Sequence, residues 1–292
     1  MIIVMGATGA TGGALIRSLA DRAMPMPVPC RALSREPQRL RARLGAAAGP
    51  LVEAHYADAA DPASLRAAFS GGRQLFLTME NGPRQIEFEL RAIEAALDSG
   101  IEHIVKISSP AAEPDSPVVI ARGHHTVETR LRTAGVTATV LRPYAFMQNL
   151  LLLGPGVAHG GLVVGAMGEA PCNYVDCRDI GEVAAAVLTR PELAGGTYSL
   201  TGAETCSFGR LAELLSRLRG RPVRYLDLPP EQLRAQLSAE RGLPGWLADH
   251  VVEIQQLAVA RPEAPTDTVA RLLGRAPRGL ESFLTEHIDV FR

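Results

Sequence analysis

The chain has 292 residues, 47% of them hydrophobic, and a formal net charge of −1, which suits one large α/β core with a smaller lobe. Without a positive field, nucleic acid is not an expected ligand, and the four scattered cysteines indicate neither a zinc site nor a disulfide framework. No apolar run is long enough to cross a bilayer and the first strand starts at the N-terminus, so we expect a cytoplasmic protein without a membrane anchor.

The first nineteen residues, MIIVMGATGATGGALIRSL, predict a strand, a phosphate-binding turn and a helix. Ile2 to Met5 are apolar without alternation, as in a parallel strand buried on both faces. The glycines that follow, spaced by three, allow backbone N–H groups and a helix N-terminus to face a pyrophosphate. A flexible turn is the alternative, but the position between strand and helix favours nucleotide binding. The predicted contacts are Gly6, Ala7, Thr8, Gly9, Ala10, Thr11 and Gly12.

Strands and helices alternate in the following hundred residues. After a turn at Pro25 and Pro27, strands are predicted at residues 28–33, 51–55, 74–78, 103–107 and 136–141. Helices are predicted at residues 63–69, with Asp61 as N-cap, and at 83–99 and 120–133. This order predicts a doubly wound parallel sheet of the Rossmann type with right-handed crossovers.

The end of the second strand predicts which dinucleotide binds. An acid at this position accepts hydrogen bonds from the ribose of NAD, whereas an arginine suits the 2′-phosphate of NADP. The stretch Arg31-Ala-Leu-Ser34-Arg35 has no acid, so we predict NADP(H), held through Arg31, Ser34 and Arg35. The arginines at 39, 41 and 43 are expected to form a solvated helix face.

Other cofactor contacts are expected where strands end, because ligands of doubly wound sheets bind at the carboxyl edge. The residues at these ends are Asp58 for the adenine and Thr78, Met79, Ser108 and Pro143 for the remainder of the cofactor.

The expected division is a dinucleotide-binding domain at residues 1–150 and a segment at 151–292 that completes the sheet and forms a mostly helical lobe. Residues 154–168 are predicted to form a loop or β-ribbon, followed by helices at 181–189 and 208–218 and strands at 197–200 and 223–226. From Pro229 only helices are predicted, at 231–241, 246–260, 267–273 and 280–291. Apolar segments at 150–153, 162–164 and 243–247 are expected to wall a substrate pocket.

Several motifs together resemble the NmrA-like group of atypical short-chain dehydrogenases/reductases over the whole chain. They are Gly6 to Gly13, Arg31 to Arg35, His103 to Ser109, Glu128 with Leu131, Gly135 and Arg142-Pro143, Val175 to Ile180, Tyr198 to Gly202 and Thr268 to Arg278. The resemblance implies either an NADPH-dependent quinone or ketone reductase or a non-catalytic nucleotide sensor, since the group includes both.

The chain departs from the wider superfamily by lacking its Tyr-x-x-x-Lys pair, and a position that is often basic in the group is Gly123. His124 and Glu128 lie four residues apart on one helix face, where a carboxylate would favour a protonated imidazole able to act as a general acid. The alternative is a surface ion pair.

Two further side chains are candidates for the substrate site. Ser109 follows the fifth strand, where the resemblance implies a hydroxyl that orients the substrate, and Tyr144 is a second candidate proton donor or an aromatic pocket wall.

The predicted function is hydride transfer from NADPH to a carbonyl or quinone of a bulky, apolar and possibly polycyclic aromatic substrate, by a monomer or homodimer. Such an acceptor needs little acid catalysis, because a conjugated oxyanion stabilises itself. A sensor that binds NADP without turnover and contacts a protein partner is the alternative, but it has no need of a deep apolar cleft.

Overall fold

The structure is a computed structural model that describes residues 1–21, 28–45, 49–239 and 242–292. The turn predicted at Pro25 and Pro27 and the predicted helix end at Arg241 lie outside the described residues. Among the described helices, none is both long and apolar enough to span a membrane.

Strands and helices alternate through the first half of the described chain. In chain order the strands are β1 (Ile2–Met5), β2 (Cys30–Ser34), β3 (Val52–Tyr56), β4 (Gln74–Leu77), β5 (His103–Ile107), β6 (Thr137–Pro143), β7 (Ala145–Phe146), β8 (Leu162–Gly165), β9 (Cys172–Val175), β10 (Thr197–Leu200), β11 (Thr205–Cys206) and β12 (Arg224–Asp227). The α-helices are α1 (Ala10–Leu19), α2 (Pro37–Leu44), α3 (Pro62–Phe69), α4 (Gln85–Asp98), α5 (Val119–Arg132), α6 (Gly154–Gly160), α7 (Cys177–Thr189), α8 (Phe208–Arg219), α9 (Pro230–Ala239), α10 (Gly245–Ala260), α11 (Thr268–Leu273) and α12 (Leu280–Glu286). Three 3-10 helices of the described chain span Met147–Leu153, Pro191–Leu193 and Ile288–Phe291.

The main sheet has the order β10-β6-β5-β4-β1-β2-β3, and its neighbouring pairs from β6 to β3 are parallel. All four residues of β1 are buried, and Ile2 pairs with Cys30 on one side and Gln74 on the other. The strand order reverses between β1 and β4, which is the switch point where doubly wound folds bind ligands. The predicted fold class, a doubly wound Rossmann fold with additional C-terminal helices, is confirmed.

The chain forms two compact units that interleave along the sequence. The first comprises Met1–Pro114, Ala121–Pro143 and Cys177–Ser199, and the second Asp115–Ile120, Tyr144–Asp176 and Leu200–Arg292. A single boundary at residue 150 does not describe this arrangement, because α7 returns to pack against α1. A Cβ at Gly181 would lie 2.6 Å from the Ala14 Cβ and the Leu15 nitrogen, so glycine permits this close helix packing.

Residues 154–168 differ from the loop or ribbon that their glycines predict. They contain α6 and β8, and β8 pairs in parallel with β12. Pro155 lies in the first turn of α6, where proline is compatible with a helix, and a Cβ at Gly154 would lie 2.6 Å from Val290 Cγ1. Tertiary packing therefore stabilises a helix that local propensity disfavours.

Candidate functional site

The glycine-rich turn after β1 exposes the N-terminus of α1. Gly6 has a φ of +83°, and a Cβ there would overlap the carbonyl oxygen of Thr78, while a Cβ at Gly12 would overlap that of Gly6. Gly9 is the N-cap of α1 and contributes no side-chain hydrogen bond. Thr8 and Ala10 are exposed. The first N–H groups of α1 and the positive end of its dipole are thus presented as a pyrophosphate site requires.

A basic cavity of about 290 Å³ lies at the end of β2. Its walls are formed by Thr8, Ser34, Arg35, Glu36, Arg39, Leu40 and Arg43. Arg39 and Arg43 are four residues apart on α2 and line this cavity with Arg35, so two of the arginines predicted to form a solvated face are also cavity walls. Three guanidinium groups beside the pyrophosphate turn fit the 2′-phosphate of NADP(H).

The predicted cofactor contact of Arg31 stays a prediction, and its guanidinium has other partners within the first unit. Arg31 Nε donates to Glu53 at 3.0 Å, and Nη1 donates to the carbonyl oxygens of Ala68 and Ser70 at 2.8 and 2.9 Å. Arg31 therefore ties β2 to β3 and to the end of α3 and is left out of the proposed phosphate site.

The remaining predicted cofactor contacts end strands of the first unit, and their contacts with a cofactor stay predictions. Asp58 accepts a hydrogen bond from the Ala60 nitrogen at 2.8 Å, which fixes the loop after β3. Thr78 and Met79 follow β4 and are partly exposed, and Thr78 packs against the backbone of Gly6. Pro143 is the last residue of β6.

Glu128 on α5 is buried, 6% exposed, and its carboxylate binds residues of β6 and of the loop after β5. Arg142 donates to it from Nε at 3.0 Å and from Nη2 at 2.6 Å, and this side-chain hydrogen bonding raises the pKa of Arg142. The Ser108 hydroxyl donates to Glu128 Oε1 at 2.5 Å. The hydroxyl predicted to contact the cofactor is therefore engaged within the protein.

His124 is also buried, 7% exposed, so the surface ion pair with Glu128 is excluded. Its Nδ1 lies 3.3 Å from Nζ of Lys106, which also donates to Glu89 Oε1 at 2.9 Å and to the carbonyl oxygen of Ile107. An ammonium only donates, so Nδ1 accepts and the proton of the neutral ring is on Nε2. This contact does not favour the predicted protonated imidazolium, because its Nδ1–H would face an ammonium, and the catalytic role of His124 stays a prediction.

Gly123, beside this histidine, faces α4. A Cβ at this position would lie 2.6 Å from Ile86 Cγ1 and closer still to its Cδ1, so the isoleucine fills the space where a side chain would begin. The basic residue that the group often carries here has no room unless Ile86 moves.

Ser109 and Tyr144 are both partly exposed. The Ser109 hydroxyl accepts a hydrogen bond from the Ala111 nitrogen at 3.3 Å, and its proton remains to be donated. Tyr144 begins a stretch of the second unit, where burial first and then the charge of Glu263 raise the pKa of its phenol. Tyr144 therefore keeps its proton at neutral pH and stays a candidate donor.

The sequence interpretation missed Lys106 and Glu89, which are fully buried. Lys106 interrupts the apolar run of β5, and Glu89 falls on the buried stripe of α4 with Gln85 and Ile93. Charged residues are almost never fully buried unless they are paired. A lysine in a doubly buried strand and a glutamate on an apolar helix stripe are thus the signal that predicts such a pair.

The fold and the glycine turn define a dinucleotide-binding protein, and comparisons with known proteins agree. The NmrA-like family model matches residues 1–265. An NAD(P)H azoreductase of Xenophilus azovorans is 32% identical over 100% of this chain and 99% of its own length. A (4-alkanoyl-5-oxo-2,5-dihydrofuran-3-yl)methyl phosphate reductase of Streptomyces griseus is 34% identical over 100% of this chain and 99% of its own. A structure of an NADPH-dependent quinone oxidoreductase of Escherichia coli with NADPH has a TM-score of 0.87, with 26% identity over 99% of this chain and 100% of the other.

The chain belongs to the NmrA-like family, and the resemblance drawn from its motifs is confirmed. The expectations of an NAD(P)H-dependent reductase and of NADP(H) as its cofactor are likewise confirmed by these comparisons.

Proposed function

We propose that this protein transfers hydride from NADPH to a carbonyl or quinone of a bulky, largely apolar substrate without a Tyr-x-x-x-Lys pair. The observation that carries the proposal is the position of His124, a buried imidazole whose Nδ1 lies 3.3 Å from Nζ of Lys106. Such a ring offers a hydrogen bond from Nε2 but is a poor proton source. It suits an acceptor whose oxyanion is stabilised by conjugation.

The residues of the first unit fit the proposed cofactor. The turn from Gly6 to Gly12 presents backbone N–H groups to the pyrophosphate, and the cavity lined by Ser34 and Arg35 accepts the 2′-phosphate. When bound, NADPH supplies the hydride, which carries both electrons to the acceptor carbon. The remaining tasks, which are to orient the substrate and to stabilise charge on its oxygen, belong to this chain's own side chains.

The charge that develops on the substrate oxygen requires a donor. As the new C–H bond forms, the C=O π electrons move to oxygen, and one proton completes the alcohol. With a quinone, hydride at a ring carbon gives an enolate, and the hydroquinone forms when oxygen takes a proton and the ring carbon loses its added hydrogen as a proton to the second oxygen by way of solvent. His124 Nε2–H would stabilise this oxygen by a hydrogen bond, as a neutral histidine does in other enzymes, while solvent delivers the proton. The Tyr144 hydroxyl is a second donor, because it retains its proton.

The second unit has a cavity of its own. It has a volume of about 380 Å³ and is lined by Leu152, Pro155, Gly156, Gly160, Leu162, Val164 and Gln236. The predicted apolar segments at 150–153 and 162–164 each contribute to it, whereas the segment at 243–247 with Trp246 does not. We assign an apolar ligand group to the leucine and valine side of this cavity.

The test is to mix the purified protein with NADPH and a panel of quinones, aromatic ketones and azo compounds while following the absorbance of the reduced nicotinamide. Conjugated quinones are expected to be reduced faster than simple ketones, because His124 gives only a hydrogen bond. Failure of every acceptor to oxidise NADPH, with NADPH binding intact, would overturn the proposal in favour of a sensor that does not turn over.

Leu152→Ala is expected to raise KM for a polycyclic quinone roughly fivefold and to leave that for benzoquinone unchanged, because about 1 kcal/mol of apolar contact is lost only with the larger ligand. The Leu152 residue is 70% exposed, so the substitution should not change the unfolding temperature. Val259→Ala, at an exposed apolar position of α10 outside the cavity, is the control. An equal KM effect in both variants would contradict the assignment.

A further inference from the structure

A row of buried polar side chains connects α4, β5 and α5 in the first unit. Gln85 Nε2 donates to Glu89 Oε1 at 3.3 Å, the same oxygen accepts from Lys106 Nζ at 2.9 Å, and Lys106 contacts His124 Nδ1 at 3.3 Å. All four residues are buried. The row therefore leads from the first turn of α4 to the imidazole that we place beside the substrate oxygen.

Lys106 uses its whole donor capacity in this row. An ammonium has three N–H donors and no acceptor, and the three groups around Nζ are Glu89 Oε1, the carbonyl oxygen of Ile107 and His124 Nδ1. The only one of these acceptors that can exist in two tautomers is the imidazole. Lys106 thereby excludes the tautomer with a proton on Nδ1.

The row is poorly suited to a role in stability alone. An apolar residue at 106 would continue the buried pattern of β5, and a buried ion pair is often no more stabilising than a hydrophobic replacement. Within the described part of the chain, Gln85 Oε1 and Glu89 Oε2 are buried with no hydrogen-bond partner, which is a further cost. A role beyond packing accounts for keeping the charges.

We propose that Lys106, held and neutralised by Glu89, is a positioning residue that fixes His124 in the tautomer with its proton on Nε2. Glu89 pairs with the buried lysine at 2.9 Å and holds it in place, and the lysine orients the ring through Nδ1. This inference rests on the proposed function, because only a donor at Nε2 serves the substrate oxygen described above.

The tautomer is measured directly by NMR of the whole protein labelled with 15N-histidine, at a pH well above the ordinary histidine pKa of about 6.5. The chain has seven histidines, and the signals of His124 are those lost in His124→Ala. In the unmodified protein, Nδ1 is expected to resonate as an unprotonated ring nitrogen and Nε2 as a protonated one, with no averaging between the two.

The decisive variant removes both charges, as Glu89→Leu with Lys106→Met. Lys106→Met alone leaves a buried unpaired carboxylate and is expected to fold poorly, whereas the double variant is apolar throughout. In the double variant the two nitrogens of His124 should move towards averaged shifts, because no ammonium then donates to Nδ1. Lys106→Arg as a single substitution keeps a charged donor at this position. This variant should therefore retain at least part of the single-tautomer pattern that the double variant loses.

Kinetics provide the second readout. The double variant is expected to lower kcat for a simple ketone about tenfold, a loss typical of removing a group that orients a functional imidazole, with NADPH affinity unchanged. Adding His124→Ala to the double variant should lower kcat by a smaller factor than His124→Ala does in the unmodified protein. The two changes are not additive because both act on the same hydrogen bond from the imidazole to the substrate oxygen. An unaltered tautomer in the double variant would overturn the inference whatever the rates. A shifted tautomer together with unchanged ketone rates in His124→Ala supports the positioning of the ring and overturns the proposed role of His124.

Discussion

Replacing His124 with alanine is expected to lower the turnover of a simple ketone by about a hundredfold. The loss is that of one preorganised donor to a developing oxyanion, for which costs of about 10²- to 10³-fold are typical. With a conjugated quinone the loss should be much smaller, because the oxyanion is delocalised within the product. The measurement is the steady-state rate of NADPH oxidation with each acceptor, in the unmodified protein and in the variant. The informative quantity is the fold-loss of rate with the ketone divided by the fold-loss with the quinone.

The neighbouring histidine provides a matched control. His125 is partly exposed, and its Nε2 lies 3.5 Å from the Thr129 hydroxyl, so His125→Ala removes an imidazole from the same helix without touching the buried row. Because His124→Ala leaves a donor of Lys106 without its acceptor, the unfolding temperature of each variant sets the temperature of the assay. Ketone rates unchanged in His124→Ala would show that the substrate oxygen takes its hydrogen bond elsewhere, with Tyr144 the next candidate.

Arg35→Ala is expected to weaken NADPH binding about tenfold or more and to leave NADH binding almost unchanged. A charge-assisted hydrogen bond to phosphate contributes about 1.5 to 3 kcal/mol to binding. NADH has no 2′-phosphate, so its binding does not include this contribution and does not depend on Arg35. The measurement is a titration of the protein with each cofactor. Arg39 and Arg43 line the same cavity, so a measurable residual preference for NADPH is expected in the variant.

Arg41→Ala, the control, removes the same charge from α2, the helix that follows Arg35. Arg41 is exposed on α2 and is not among the cavity walls, so NADPH affinity should change little. Equal affinity of the unmodified protein for NADPH and NADH would contradict the predicted preference, as would equal effects of the Arg35 and Arg41 substitutions.

The sequence predicts the parallel sheet well because each buried strand is a short apolar run with turn residues at its ends. The predicted bounds of β1 and β5 match the structure closely, and Asp61 caps α3 as predicted, accepting from the Ala63 nitrogen at 2.9 Å. Residues 154–168 were harder to predict, since contacts with distant segments stabilise α6 against its own glycines.

The candidate site was less predictable than the fold for a related reason. Spacing correctly places His124 and Glu128 on one face of α5, but it cannot give the partners that other strands bring to that face. Lys106 from β5 contacts the histidine and Arg142 from β6 contacts the glutamate, so the two side chains have partners that their spacing does not reveal. The partners of Arg31 on β3 and at the end of α3 are hidden in the same way, because they lie 22 to 39 residues away in sequence.

The return of α7 to α1 has a consequence for the synthesis of this protein on the ribosome. Cys177–Ser199 belongs to the first unit, so that unit cannot close until the stretch Tyr144–Asp176 of the second has already left the exit tunnel. A nascent chain that has reached residue 150 carries the complete glycine turn, yet the apolar side of α1 around Ala14 still lacks the helix that covers it. The nucleotide site is thus among the first segments to be translated, but the helix that packs against it follows only at Cys177–Thr189, and in the interval the apolar side of α1 is exposed to association.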